Sequence, residues 1–94
     1  MYYALHYDTV EGFAERRQPY RAEHLALVSD AHARGRLVLA GALKPIGGEV
    51  DAALLIFKSD TAADVESFVS RDPYVINGLV TNWRVREWAV VVGG

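Results

Sequence analysis

Ser70-Arg71-Asp72-Pro73-Tyr74 is the stretch that decides how the chain is divided. Pro73 has no backbone N–H and forces the residue before it out of helical geometry. A helix arriving from residues 62–70 therefore ends here. Asp72 then suits the N-cap of a short new turn, with Pro73 at its first position and Gly78 just past its end. Upstream, Thr61-Ala62-Ala63-Asp64 is a capping-box variant that opens the helix, with Ala62, Val65, Phe68 and Val69 facing inward. Downstream, residues 82–92 read as a strand carrying Trp83, Val85, Trp88 and Val90. The change of phase between Val85 and Trp88 suggests a bulge there.

Working outward from this helix–stop–strand unit, residues 52–58 and 36–43 are strands. The turn at 44–51, with Pro45 and Gly47-Gly48, joins them as an antiparallel hairpin. Gly41 inside the second strand marks a bulge or a close approach to the backbone. Residues 20–34 carry a helical pattern. Tyr20, Leu27, Val28 and Ala31 form its stripe, Leu25 lies beside it, and Gly35 takes the C′ position. Pro19 suits the first turn of that helix. Residues 10–18 are polar and read as a loop or short helical turn. Residues 2–8 form the first strand. Both of its faces are apolar or aromatic, which suits a central strand.

The order is βαββαβ. It predicts a ferredoxin-like α+β fold: a four-stranded antiparallel sheet with two helices on one face, reached by right-handed crossovers. The other face is left bare yet apolar, which predicts a homodimer with sheets facing or joined edge to edge. A chain of 94 residues is read as one domain, residues 1–94. A chain of that size buries only about 60–65% of its unfolded surface, so a second copy would add core.

Composition narrows the chemistry. The chain has no cysteine and a formal net charge of −2. Thiolate nucleophiles, disulfides and Cys-ligated metals are excluded. No basic patch points to nucleic acid. No apolar run reaches the roughly 18 residues of a membrane span. The first residues lack the charge pattern of a signal peptide, so a cytoplasmic location is expected. His24 and His32 lack the i, i+4 spacing of a helical metal pair, and no metal or cofactor is expected. There is no nucleophile elbow or phosphate loop.

The element order and several short motifs together resemble the YciI-like, or YCII-related, proteins. The matching residues are Tyr7-Asp8, Arg21-x-x-His24-Leu25, Gly35-x-Leu37, Ala40-Gly41, Arg71-Asp72-Pro73-Tyr74 and Gly78-Leu79. Ala42 departs from the pattern, since many relatives carry proline there. The resemblance implies a dimeric α+β barrel fold and a site built on a histidine and an aspartate, which fall on His24 and Asp72. One relative dehydrochlorinates a chlorinated hydroxyhydroquinone. The wider superfamily includes muconolactone isomerases and cofactor-free monooxygenases. The implied function is a small cofactor-free enzyme acting on a small anionic or phenolic ring compound, by lyase, isomerase or dehalogenase-type chemistry.

The residues allow that reading beside a plainer one. If His24 meets Asp72, the carboxylate fixes the imidazole tautomer and frees the other nitrogen for acid/base work. Asp72 would cap the turn through one oxygen and hold His24 through the other. The plainer reading is a buried histidine bonded to a capping aspartate. Arg17 and Arg21 precede His24 at i−7 and i−3, where they suit a carboxylate or phenolate; otherwise they pair with nearby glutamates. Tyr7, Gly41 and Tyr74 are candidate pocket walls, with plain packing as the alternative for the two tyrosines. His6 is expected on the face opposite Tyr7, and His32 in solvent. The alternative function is a non-catalytic small-molecule-binding or dimerising accessory protein.

Overall fold

In the computed structural model, which describes residues 1–94, β1 spans Tyr2–Thr9, β2 Leu37–Leu43, β3 Ala52–Lys58 and β4 Val80–Trp88. The helices are α1 (Phe13–Arg16), α2 (Arg21–Ala33), α3 (Ala62–Arg71) and α4 (Pro73–Ile76). The four strands form one sheet in the order β2-β3-β1-β4, and every neighbouring pair is antiparallel. β1 is central, as its two apolar faces predict. α2 carries the chain across β3 from β1 to β2, and α3 carries it across β1 from β3 to β4. This is the ferredoxin-like α+β plan. No helix is long and apolar enough to cross a membrane.

The pleat of β1 sorts the core. Tyr3, Leu5 and Tyr7 are buried, and their cross-strand partners Phe57, Leu55 and Ala53 share their face. Val65, Phe68 and Val69 of α3 close on these side chains, and Leu27, Val28 and Ala31 of α2 pack beside them. Phe57 and Phe68 meet edge to face, with ring centroids 5.1 Å apart. A second, smaller cluster joins Phe13, Tyr74 and Leu79. Phe13 is thus core, although it stands in a stretch that reads as polar.

The last strand differs from the expectation. It starts at Val80 and stops at Trp88, not at residue 92. Trp88 pairs with Tyr2, the first residue of β1, so beyond it the chain has no strand to pair with. The expected bulge between Val85 and Trp88 is absent: register is unbroken from Asn82 to Trp88. Val85 faces the helices with Leu5, and Trp88 faces the other way with Tyr2, so two faces explain the change of phase. The irregularity sits earlier, opposite Asp8 and Thr9.

Gly41 is likewise not in a bulge. It pairs regularly with Leu54, and the slip in β2 falls between Leu37 and Leu39. Gly35 and Gly78 have φ of 76° and 73°, the left-handed geometry that ends a helix cleanly. The sheet face away from the helices carries Leu39 and Trp88, 63% and 49% exposed.

Candidate active site

Asp72 is the hinge of the site. Its φ and ψ of −71° and 118° end α3 and start α4, as the Asp-Pro pair requires. Its side chain is wholly buried. Oδ1 accepts the Tyr74 backbone N–H at 3.0 Å, the N-cap bond. The same Oδ1 lies 2.8 Å from His24 Nδ1, and Oδ2 accepts the Tyr7 hydroxyl at 2.8 Å. The division of labour therefore differs from the expectation. One oxygen takes both the cap and His24, because Tyr7 rises from the central strand beneath and occupies the other. Three donors converge on one group, an arrangement a carboxylate satisfies in full.

Tyr7 is set by this environment. Burial pushes its phenol far above the ordinary range, and the negative charge of Asp72 adds to that. It remains a neutral donor under Asp72. Tyr7 does not reach the cavity, so its place is behind the carboxylate, not on a pocket wall.

His24 sits one turn into α2, its ring stacked on Tyr74 with centroids 3.8 Å apart and planes within 11°. The bond from Nδ1 to Asp72 makes Nδ1 the donor in the neutral ring and leaves Nε2 as the acceptor. Nε2 has no hydrogen bond within the chain. His24 lines a cavity of about 250 Å³. Arg17, Arg21 and Tyr74 line it too, with Leu25 and Val28 from α2 and Leu55 from β3. The far wall is Ala40-Gly41-Ala42 of the edge strand β2. Gly41 contributes backbone only, and a Cβ there would meet nothing within 4 Å.

Arg17 comes to the cavity from outside α2. A 3₁₀ turn, Gln18–Tyr20, separates it from the helix, yet it still lines the same wall as Arg21. Its guanidinium lies 5.3 Å from the centre of the Phe13 ring, and Phe13 stands edge-on to Tyr74 at 5.2 Å. Phe13 is a wall residue absent from the candidates that the sequence offers. An isolated aromatic among polar neighbours was its only signal. Arg17 Nε and the Tyr74 hydroxyl are buried donors with no acceptor in the chain. Burial pushes the Tyr74 phenol up, against the pull of Arg17 and Arg21.

The other histidines lie elsewhere. His6 is on the bare sheet face, its Nε2 3.0 Å from Asp8 Oδ1. His32 is exposed, with Nδ1 2.8 Å from the Leu37 carbonyl oxygen. No three His, Cys, Asp or Glu side chains are grouped as metal ligands.

The family model of the YCII-related domain matches residues 1–89. The chain belongs to this family. Among solved structures, this YCII-related chain is similar to the 5-chloro-2-hydroxyhydroquinone dehydrochlorinase of Burkholderia phenoliruptrix AC1100, solved with 2,5-dihydroxybenzoquinone. The TM-score is 0.80 at 24% identity, over 94% of this chain and 93% of that one. A NIPSNAP domain protein of Burkholderia xenovorans superposes with a TM-score of 0.55 at 17% identity, over the full length of both. Rv0793 of Mycobacterium tuberculosis gives 0.52 at 12%, over 98% and 97%. At these identities the likeness is one of fold. No protein of curated function matches the chain.

Proposed function

We propose that this YCII-related chain is a small acid/base enzyme acting on an anionic or phenolic ring compound, without a cofactor. His24 Nε2 transfers the proton, and Asp72 orients the ring. One observation carries this reading: Nδ1 is spent on a buried carboxylate while Nε2 stands unpartnered on a cavity that also holds two arginines. A histidine serving only to satisfy a buried cap needs no such cavity.

The cavity suits the proposed substrate in size and charge. About 250 Å³ accommodates one substituted ring. Arg17, Arg21 and the Tyr74 hydroxyl supply donors for a ring oxygen or carboxylate. Val28, Leu55 and Leu25 supply the apolar wall. Lyase, isomerase and dehalogenase-type reactions all need a proton taken from or given to the ring beside the bond that changes. Nε2 performs that step in each. The fold it shares with a dehydrochlorinase makes chlorinated hydroxyhydroquinones the first compounds to offer it. The competing reading is a binding protein that uses the same cavity without turnover.

The test is chloride release and ring absorbance with 5-chloro-2-hydroxyhydroquinone and related hydroquinones and lactones. The expected result is turnover of at least one compound, lowered about 10²–10⁴-fold in His24→Gln with folding intact. Full turnover in a well-folded His24→Gln protein would sink the proposal. Saturable binding of these rings with no turnover of any would favour the binding protein.

A further inference from the structure

A second cleft, of about 460 Å³, opens between α2 and α3. It shares no residue with the His24 cavity. Its apolar part is Leu27 and Ala31 from α2, Phe57 from β3 and Phe68 from α3. Its polar rim holds three arginines and two aspartates.

The charges on that rim are not equally free. Arg34 is tied to Asp30 on the same helix at 3.0 Å. Arg36 is tied to Asp64 through Nη1 at 3.0 Å. Asp64 is further held by the Ser59 hydroxyl, which with Arg36 keeps its carboxyl below the usual range and so keeps the pair charged. Arg71 ends α3 without any carboxylate partner. Its Nε donates to the Ser67 carbonyl oxygen at 3.3 Å, which leaves both Nη groups uncommitted. The rim thus carries one positive charge in excess, on the planar group best suited to a carboxylate.

We propose that the cleft between α2 and α3 is a second ligand site, independent of His24, for a small monoanion with an apolar body. The carboxylate pairs with Arg71, and the apolar body lies against Leu27 and Ala31, over the buried edges of Phe57 and Phe68. A neutral compound of the same shape leaves the Arg71 charge unanswered and binds more weakly.

Benzoate is the probe, followed by amide chemical shifts of the full chain. Saturable shifts at Ala31, Ser67 and Arg71 are expected, with a dissociation constant on the order of 1–10 mM for so small a ligand. Benzyl alcohol should bind about tenfold more weakly. Arg71→Gln should lose the response and Arg71→Lys should keep part of it, both with unchanged folding, since Arg71 is exposed. The cleft response should persist in Arg21→Gln, where any benzoate bound beside His24 is weakened. Shifts confined to residues around His24, equal binding by benzyl alcohol, or unchanged affinity in Arg71→Gln would each overturn the proposal. Failure here leaves turnover at His24 untouched, because the two sites share no side chain.

Discussion

Asp72 and Tyr7 act as one unit at the scale of single residues. Tyr7→Phe removes a hydrogen bond to a buried charged acceptor, which costs about 1.5–3 kcal/mol. Its pH signature separates it from a simple packing loss. An unfolded tyrosine ionises near pH 10.0, whereas folded Tyr7 keeps its proton well above that, because burial and then Asp72 oppose the phenolate. The stabilisation is therefore complete below pH 10 and is lost as pH rises beyond it, by up to about 1.4 kcal/mol per pH unit for one group. Urea unfolding at pH 8 to 11 should show wild type losing stability above pH 10 faster than Tyr7→Phe. Tyr74 has the same sign, so some alkaline loss persists in the variant. Parallel curves would mean that Tyr7 is not the titrating group. Asp72→Asn asks a different question. Asparagine still caps α4 but offers one acceptor oxygen where three donors now converge. Folding should weaken by about 1–3 kcal/mol, and His24 should lose its fixed tautomer, with activity falling further than stability.

The elements explain what was legible in the sequence and what was not. Asp72-Pro73 announces the end of α3 by local geometry alone, and its pairing with His24 followed from matching residues to a family pattern. Neither source revealed Tyr7 beneath Asp72, because that contact depends on how far β1 stands from α4. The end of β4 is not legible locally for a similar reason. Val90, Val91 and Val92 favour extended structure locally, but β1 begins at Tyr2 and offers them no partner. Phe13 was missed because α1 is one turn long and has no periodicity to read. Where a local cap is the signal, the reading holds for the cap residue and fails for its expected partner. Thr61 accepts the Ala63 N–H at 3.2 Å, while Asp64 turns away to Ser59 and Arg36. The N-cap bond is therefore formed, on the second helical N–H, and the capping box is not. Thr61→Ala should lower stability by about 1 kcal/mol, and Asp64→Ala should not reproduce that loss through the cap. A calorimetric comparison of the two variants at neutral pH checks it. Equal losses in the two single variants, with no further loss in the double variant, would show a reciprocal box after all.

At the scale of the whole molecule, the sheet has one covered face and one bare one. The bare face carries Ala4, Leu54 and Ile56 in its middle, with Leu39, Leu43 and Trp88 exposed around them. Arg84, Arg86 and His6 share this face with Asp8, so it offers both charges as well as apolar area. A self-complementary patch of this kind suits a two-fold pair, in which the two apolar centres meet and each protomer's basic edge meets its partner's Asp8. We propose that the chain is a homodimer through this face. Two substitutions probe it at side chains that line neither cavity. Leu39→Lys and Trp88→Lys each place a charge on exposed positions, so the isolated fold should tolerate them within about 0.5 kcal/mol. In a buried dimer face the same charges are costly, and the double variant should run as a monomer in light scattering where the wild type runs as a dimer. A wild-type monomer at high micromolar concentration would remove the proposal. So would a double variant that still dimerises, since the interface would then lie on an edge or a helix face. Turnover in the monomeric variant adds a second answer. The His24 cavity is walled on one side by the edge strand β2, and Leu39 belongs to that strand. If activity falls with dimer dissociation while folding holds, pairing of the two sheets is what keeps that wall in place.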